Sequence, residues 1–325
     1  MAVAFGKVIL VGEHAVVYGV PAIAVGVNVA ATASARVAAQ SSLTLGVRRW
    51  DLGRREGDAS ATTDDASTPE ARAFGELVAT VASGVSPAPQ IEAEVLLHQP
   101  SGVGLGASAA IAVALARAVS DAIGRPSSER PAAELLAAAR AWEDVFHGKA
   151  SGIDAATAFH GGCLWFRPSE PAERLRLQSS LRLAVAVAGP AVSTRLMVES
   201  VAALRQQSPQ RFELLLQSIH ALVQEARVTL LLGRWKELGG LLDRNHRLLS
   251  ELGVSTPALD AACQRARDAG ALGAKLTGGG GGGCVLALTE DDSAERVLSA
   301  WREQGLHCFE ASVPGAPPSD ALPVT

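Results

Sequence analysis

The chain has 325 residues, a length that suits two domains of ordinary size or one large domain. Hydrophobic residues make up 48% of it and charged residues 19%, so it can bury a substantial core and is not a disordered chain. The formal net charge is −4, which leaves no basic excess to drive binding to nucleic acid or to an anionic membrane surface.

In the first half of the chain, apolar runs alternate with helical patterns. Apolar and β-branched runs predict strands at residues 2–11, 22–39, 91–98 and 163–168. Apolar periodicity predicts helices at residues 71–83, 107–123 and 131–146. Residues 54–70 are polar and rich in turn-forming residues, which predicts a mobile loop.

The second half begins after Pro168 and Pro171, which lie in polar surroundings and indicate a boundary between domains 1–168 and 169–325. Strands are predicted at residues 181–189, 284–289 and 307–313. Helices are predicted at residues 194–206, 209–232, 234–251, 257–269 and 292–304. The mixture predicts an α+β or mixed α/β fold, followed by a disordered tail from residue 314.

The cysteines and the N-terminus bear on where the protein works. Four cysteines lie far apart, with no CxxC pair, at positions 163, 263, 284 and 308. This argues against a disulfide framework or a structural zinc site and favours a reducing cytoplasm. No apolar run reaches the roughly 18 residues of a membrane span, and Lys7 and Glu13 interrupt the apolar N-terminus, so no signal peptide is expected. We therefore expect a cytoplasmic protein with no membrane or nucleic-acid partner.

The glycines are unevenly distributed. Of the 32 glycines, 18 fall in four short segments, at residues 6–19, 102–106, 148–162 and 270–283. Three of the four lysines lie inside or beside these segments. Because glycine is favoured where backbone takes positive φ or approaches a ligand closely, we expect several loops to meet at one site.

The second glycine segment is a candidate anion site. Residues 100–108 read PSGVGLGAS between a predicted strand and a long predicted helix. Free N–H groups at a helix N-terminus, together with close backbone approach at glycines, favour phosphate binding, and Ser108 could contact a phosphate or Mg²⁺. The spacing is neither that of a Walker A loop nor that of a dinucleotide fingerprint. A plain glycine turn with Ser108 as helix N-cap is the alternative.

The last glycine segment contains six consecutive glycines at 278–283. A flexible linker is one reading of such a run. However, an apolar strand follows the glycines directly, which favours a loop packed against a ligand or against the anion loop.

Three charged residues have both structural and functional readings. Asp154 lies three residues after Ser151. Either the two residues form a helix capping box, or Asp154 serves as a carboxylate near a phosphate. Glu143 and His147 share a helix face, either as a solvated pair or with Glu143 as a Mg²⁺ ligand. Lys7, in an apolar strand, either extends to solvent or is buried beside an anion.

Together these segments resemble the motifs of the GHMP kinases, the family named for galactokinase, homoserine kinase, mevalonate kinase and phosphomevalonate kinase. Residues 6–19, GKVILVGEHAVVYG, resemble the first motif in its mevalonate kinase form. Residues 100–110 resemble the second motif and residues 275–284 the third. Residues 147–154, HGKASGID, resemble the segment that carries the catalytic aspartate. The four motifs occur in the family's order between residues 5 and about 290.

The resemblance implies both a fold and an activity. The implied fold is a two-domain α+β GHMP kinase fold, with an N-terminal domain like ribosomal protein S5 domain 2 and a ferredoxin-like C-terminal domain. The implied activity is ATP-dependent phosphorylation of the C5 hydroxyl of mevalonate, with Mg²⁺, in isoprenoid precursor synthesis by the mevalonate pathway. A homodimer is compatible with the sequence, which does not give the oligomeric state.

The resemblance also implies roles for individual residues. Asp154 would act as general base on the C5 hydroxyl or orient it, and Lys7 would lie beside both. Ser108 and Glu143 would hold Mg²⁺. The ATP phosphates would be wrapped by Gly102, Val103, Gly104, Leu105, Gly106, Ala107 and Ser108. Mevalonate would be faced by Glu13, His14, Thr194 and Gly279.

Three positions depart from the family pattern: Ala107 replaces a common serine, Gly279 replaces the usual alanine, and Lys149-Ala150 replaces a frequent Asn-Pro. None of these removes a proposed catalytic group. Two other functions stay open, namely another small-alcohol or phosphomevalonate kinase of this fold and a non-catalytic nucleotide- or metabolite-binding relative. Phosphomevalonate should need an additional cationic pocket, and retention of all the proposed catalytic and metal residues argues against a non-catalytic protein.

Overall fold

The computed structural model describes residues 1–51, 54–63, 68–147, 151–190 and 192–315. Its strands are β1 (Ala2–Val11), β2 (Ala22–Val37), β3 (Ser42–Asp51), β4 (Arg54–Thr63), β5 (Ile91–Leu97), β6 (Gly162–Phe166), β7 (Glu173–Leu175), β8 (Leu181–Gly189), β9 (Gly273–Thr277), β10 (Gly283–Leu288) and β11 (His307–Val313). Its α-helices are α1 (Pro69–Val81), α2 (Ala107–Ala122), α3 (Ala132–His147), α4 (Ile153–His160), α5 (Thr194–Gln207), α6 (Pro209–Leu231), α7 (Trp235–Glu251), α8 (Pro257–Asp268) and α9 (Ala294–Glu303). A 3₁₀ turn occupies Ala15–Tyr18.

The chain forms two compact units, each made of several segments. The first unit contains residues 1–7, 28–101 and 105–161. The second contains residues 8–27, 102–104 and the chain from 162 onwards. The domain boundary at residue 168 stays a prediction. It differs from this division in assigning residues 8–27, 102–104 and 162–168 to the N-terminal domain.

In the first unit, helices α1 to α4 pack with a sheet that contains β3, β4, β5 and the second half of β2. β5 pairs antiparallel with β2 and parallel with β3, and β3 pairs antiparallel with β4. The core is unusually rich in alanine, above all on α2, whose buried face is mostly alanine and valine. Small side chains let α2 approach its neighbours closely, and the bulk of the core is supplied by residues such as Leu115, Leu135 and Trp142.

In the second unit, the first half of β2 pairs antiparallel with β6, which pairs with β7. A separate antiparallel sheet has the strand order β11-β8-β10-β9. Its central strands β8 and β10 are mostly apolar and pack against helices α8 and α9. The chain order strand, helices, strand, strand, helix, strand is that of a ferredoxin-like fold, which confirms this part of the predicted architecture.

The structure corrects the predicted mobile loop at residues 54–70. Residues 54–63 form β4, which pairs along its length with β3. Cross-strand backbone hydrogen bonds override the polar, turn-forming composition, as polar strands at sheet edges commonly show. The same stretch ends in helix α1, where Thr68 accepts a hydrogen bond from Ala71 N and Pro69 occupies the first turn.

Two shorter elements have no counterpart among the predicted strands and helices. Residues 273–277, placed in a glycine-rich loop, form the buried strand β9. Residues 153–160 form helix α4. Helix α4 is shorter than the window of roughly 11 residues from which helical periodicity is judged, and β9 directly precedes the run of glycines.

No helix in the described parts of the chain is both long and apolar enough to cross a membrane. All four cysteines are buried, and none of them forms a disulfide bond. The cytoplasmic location stays a prediction. The tail predicted to be disordered lies, from residue 316, outside the described residues.

Candidate active site

A buried lysine and a carboxylate form the centre of the site in the first unit. The ammonium of Lys7 lies 3.0 Å from Oδ1 of Asp154. Lys7 is 4% exposed, whereas the Asp154 side chain is 37% exposed and open to a ligand. The structure therefore brings together the two residues proposed for catalysis and confirms neither role by itself. Lys7 is buried beside an anion, as one of its two sequence readings required.

Two short elements place this pair. Lys7 lies on β1, where its backbone N–H donates to Leu105 O at 2.9 Å. Asp154 lies in the first turn of α4, which begins after Gly152 at φ 84° with no side-chain cap. The capping-box reading of Asp154 is therefore wrong, because the N-cap is Gly152, and Ser151 Oγ instead accepts a long bond of 3.4 Å from Ile153 N.

The glycine segment before α2 has the backbone expected of an anion-binding loop. Gly102, Gly104 and Gly106 have φ values of 72°, 88° and 75°. The N-cap of α2 is Gly106, which has no side chain to satisfy the first-turn N–H groups. Those groups and the helix dipole are available to a phosphate. The alternative of Ser108 as N-cap is wrong, since Ser108 lies inside the helix.

The residues of this loop differ in exposure. Gly102 and Gly104 are exposed, and Ala107 and Ser108 are partly buried. Leu105 is 1% exposed, and its carbonyl accepts from both Lys7 N and the side-chain amide of Gln99. Leu105 therefore anchors the loop, and its backbone rather than its side chain is what it can offer to a nucleotide.

Ser108 is held by the helix that carries Glu143. Trp142 Nε1 donates to Ser108 Oγ at 3.3 Å, and Trp142 directly precedes Glu143 on α3. This hydrogen bond fixes the hydroxyl beside the segment of the other proposed metal ligand. Trp142 was not identified from the sequence, although its place next to Glu143 was the available signal.

Glu143 is a buried acid with an altered protonation equilibrium. Glu143 is 5% exposed, so it is not the solvated residue that one of its two interpretations required. Burial raises the pKa of Glu143 to about 8; the Asp154 carboxylate adds to the shift, and Lys7 opposes it. A cation bound here would stabilise the ionised form and release a proton.

Within the described residues, no group of three or more histidine, cysteine or acidic side chains forms a metal site of its own. Mg²⁺ bound with a nucleotide takes most of its ligands from phosphate oxygens and water, with one or two from the protein. A hydroxyl and a carboxylate are the right kind of donors for that role.

In the second unit, His14, Gly279 and Thr194 come together. His14 Nε2 donates to Gly279 O at 2.9 Å, so in this pairing the hydrogen is on Nε2. His14 is buried and has a left-handed φ of 59°. Burial lowers its pKa, which keeps the ring neutral at pH 7, and the Gly279 bond opposes the shift. Thr194, exposed at the start of α5, lies directly against Gly279.

Glu13 belongs to a buried network instead of an open surface. It is 1% exposed, and its Oε1 pairs with Lys275 while its Oε2 accepts from Asn245 Nδ2 at 3.1 Å. Lys275 also donates to the carbonyls of Ile9 and Leu276. Complete burial lowers the pKa of Lys275, and the Glu13 carboxylate opposes the shift. This geometry favours a supporting role for Glu13, and a contact with substrate stays a prediction.

Comparisons with known proteins identify the family. A family model described as GHMP kinases N terminal domain matches residues 72–162, and one described as GHMP kinases C terminal matches residues 221–307. The mevalonate kinase of Thermococcus sibiricus is 33% identical to this chain, covering 91% of it and 90% of the relative. The chain belongs to the GHMP kinase family.

Further relatives agree. The mevalonate kinase of Aeropyrum pernix is 33% identical, with 95% of this chain and 94% of the relative covered. The crystal structure of L. major mevalonate kinase in complex with R-mevalonate is 27% identical, has a TM-score of 0.81, and covers 97% of this chain and 96% of that one. These matches confirm the predicted family, enzyme class and two-domain GHMP kinase fold.

The departures from the GHMP kinase pattern can now be placed. A Cβ on Gly279 would lie 3.2 Å from Thr194 Oγ1 and 3.3 Å from Thr194 Cα, so the usual alanine would crowd Thr194. Ala107 is the first residue of α2, where it leaves the helix N-terminus without a second hydroxyl. Lys149-Ala150 lies outside the described residues.

Proposed function

We propose that this GHMP kinase transfers the γ-phosphoryl group of ATP to the C5 hydroxyl of mevalonate. The observation that carries the proposal is the Lys7–Asp154 pair, a buried cation and an accessible carboxylate 3.0 Å apart. The mevalonate kinases that are 33% identical over most of the chain support this choice of alcohol.

In the proposed step, the C5 oxygen attacks the γ-phosphorus, the bond from the γ-phosphorus to the bridging oxygen of ADP breaks, and Asp154 takes the hydroxyl proton. Lys7 stabilises negative charge on the hydroxyl oxygen and the transferred group. Phosphoryl transfer depends mainly on positioning and charge neutralisation, because its transition state asks little covalent chemistry of the protein. A lysine fixed between Asp154 and the end of the phosphate loop meets both requirements.

Residues 102–108 are proposed to hold the ATP phosphates. Three glycines with positive φ expose backbone N–H groups, and the uncapped start of α2 supplies further donors. Gly106 lies against the Lys7 stem, where a Cβ would come within 3.3 Å of Lys7 Cβ. Glycine at this position therefore lets the phosphate loop and the catalytic lysine lie in direct contact.

Ser108 and Glu143 are proposed to hold Mg²⁺. The fit rests on the donor set and on the raised pKa of Glu143, a buried carboxyl that a cation would stabilise in its ionised form. When bound, Mg²⁺ would neutralise charge on the phosphate oxygens. The chain's own contribution is to fix the hydroxyl through Trp142 and to keep the carboxylate in a site shielded from water.

His14, Thr194 and Gly279 are proposed to face mevalonate, with Glu13 as support for His14. His14 is neutral and held by its Gly279 bond, so it offers its other ring nitrogen as an acceptor. Thr194 adds an exposed hydroxyl.

ADP release over a panel of alcohols that includes mevalonate and phosphomevalonate, with and without Mg²⁺, tests the proposal. We expect Mg²⁺-dependent turnover with mevalonate. We expect Asp154→Asn to lower kcat by about 10²- to 10⁴-fold with little change in the unfolding midpoint, since the side chain is partly exposed. Asp144→Asn, at an exposed neighbouring acid on α3, is the matched control. Turnover with phosphomevalonate alone, or undiminished kcat in Asp154→Asn, would reject the proposal.

A further inference from the structure

A single guanidinium in the first unit joins the elements that carry the proposed reactive groups. Arg117, half-buried on α2, donates from Nη1 to Val3 O at 2.6 Å and from Nη2 to Phe159 O at 2.7 Å. Val3 lies on β1 and Phe159 near the end of α4. We propose that Arg117 is a positioning residue for phosphoryl transfer, fixing the strand of Lys7 and the helix of Asp154 against the helix that begins at the phosphate loop. This inference rests on the proposed function.

The residues that Arg117 contacts lie on the same elements as Lys7 and Asp154 and only a few residues away from them, so Arg117 can restrict the positions of both side chains. Val3 precedes Lys7 by four residues, about 13 Å along a strand. Phe159 follows Asp154 by five residues, about 7.5 Å along a helix. Arg117 lies ten residues after Ala107, about 15 Å along α2. Strands and helices are stiff over such lengths, so fixing one end of each element restricts the reactive side chain at the other.

Further contacts at the same point keep the three elements in register. The Arg117 guanidinium carbon lies 4.3 Å from the centre of the Phe159 ring, close enough for a cation–π contact. Next to it, Gly161 has φ 60°, and a Cβ there would lie 2.7 Å from the ring of Phe5 on β1. The end of α4 is thus packed onto β1 by an aromatic ring and tied to it through Arg117.

Arginine suits this position better than lysine. Its planar fork directs two N–H groups at two separate carbonyls, whereas a lysine ammonium is a compact point charge on a flexible stem. Burial lowers the pKa of Arg117 and Asp121 opposes the shift, but an arginine stays protonated at physiological pH. The hydrogen bonds from Arg117 to Val3 and Phe159 are therefore not lost by deprotonation of the guanidinium at physiological pH.

We expect Arg117→Met to lower kcat roughly 10- to 100-fold, because small misplacements far from the chemistry have effects of that size, while KM for both substrates changes less than about threefold. Arg117→Lys should regain part of the lost kcat, and guanidinium ion at millimolar concentration should partly rescue Arg117→Met.

The matched control is Arg130→Met. Arg130 also donates to a backbone carbonyl, that of Val81, but its other bonds reach Ser120 and Glu134. The Arg130→Met variant should lower the unfolding midpoint about as much as Arg117→Met does and leave kcat unchanged.

A double-mutant cycle separates positioning from general destabilisation. If Arg117 acts through the Lys7–Asp154 pair, then in the Asp154→Asn background Arg117→Met should cost less than about threefold in kcat. Full additivity, or wild-type kcat in Arg117→Met, overturns the inference. If Arg117→Met does not fold, the same comparison of kcat is made between Arg117→Lys and Arg130→Lys. Wild-type enzyme without mevalonate-dependent ADP release would reject the proposed function instead, so the two failures are distinguishable.

Discussion

Lys275 uses its three ammonium hydrogens on three different acceptors. These are the Glu13 carboxylate and the carbonyls of Ile9 and Leu276, and the lysine itself is completely buried. A buried ion pair of this kind contributes little net stability compared with apolar packing, but removing one partner leaves an uncompensated charge. Its function here is to fix the segment in which Glu13 immediately precedes His14.

We expect Lys275→Met to lower the free energy of unfolding by about 3–5 kcal/mol, because the Glu13 carboxylate then stays buried without its cation. Adding Glu13→Gln should recover much of that loss, since the double variant buries no charge. Chemical denaturation of both variants measures the two values. Lys236→Met, at an exposed lysine on α7, should change the free energy by less than about 0.5 kcal/mol.

The outcome of this pair of variants also decides what Glu13 does. If Glu13 only supports His14, the double variant should keep its KM for mevalonate close to that of the wild type. A double variant no more stable than Lys275→Met would show that the ion pair is not the source of the loss. A large rise in KM in the double variant, which buries no unpaired charge, would restore Glu13 as a direct contact.

At the scale of elements, periodic patterns longer than about ten residues were predicted well from the sequence. Helices such as α2 and α6 and the apolar strand β8 occur close to their predicted ranges, because each has a clear buried face. The sequence predicts a loop where strand β4 forms, because the polar residues of β4 are ordered by pairing with β3, a partner that composition does not reveal.

The candidate site was predictable only in part, for a similar reason. Lys7 and Asp154 were found from sequence motifs, and the structure brings their side chains together. The partners that hold the site in place (Trp142, Arg117 and Asn245) are ordinary helix residues whose contacts are distant in sequence. Only the place of Trp142 next to Glu143 is a local signal; no sequence pattern marks Arg117 or Asn245, because their effect depends on tertiary packing.

The loop at Gly279 and the start of α5 provide a prediction about packing between elements. Gly279 does not have a left-handed φ, so alanine fits its backbone, but the new Cβ would crowd Thr194 at 3.2–3.4 Å. We expect Gly279→Ala to raise KM for mevalonate about threefold to tenfold through a displacement of Thr194 by a few tenths of an ångström, with the free energy of unfolding changed by less than about 1 kcal/mol. Steady-state kinetics and chemical denaturation measure both effects.

Gly240→Ala is the matched control for that substitution. Gly240 lies on α7 and has no atom within 4 Å of the position its Cβ would take. Alanine there should leave KM unchanged and raise the free energy of unfolding by about 0.5–1 kcal/mol, because glycine is a poor helix former. Equal KM in Gly279→Ala and the wild type would show that Thr194 does not depend on this contact.

At the scale of the whole molecule, two buried histidines and one half-buried histidine make stability depend on pH. Burial lowers the pKa values of His14, His246 and His307 from the ordinary value of 6.5. Well above pH 6.5, both the folded and the unfolded chain hold these rings neutral, so the rings contribute no pH dependence there. Below pH 6.5 the unfolded chain takes up protons that the folded chain resists, and the free energy of unfolding falls.

His246 gives this behaviour a structural basis. Its Nδ1 accepts from Leu276 N at 3.2 Å, and its Nε2 therefore carries the hydrogen and donates to Asp260 Oδ1 at 3.0 Å. Protonation would place a second hydrogen on Nδ1, opposite the N–H of Leu276, and would break that bond next to the buried Lys275. The Asp260 carboxylate favours the charged ring, but burial and Lys275 outweigh it.

We therefore expect His246→Gln to become more stable relative to the wild type as the pH falls from 7 to 5, because the variant lacks one histidine whose pKa folding lowers. Glutamine can still accept from Leu276 and donate to Asp260 but does not titrate. Denaturant unfolding at pH 8, 7, 6 and 5 measures the difference, which should be absent above pH 7. His220→Gln, at an exposed histidine on α6, should follow the wild-type curve. If His246→Gln loses as much stability as the wild type on acidification, the buried Leu276–His246 bond is not what the added proton breaks.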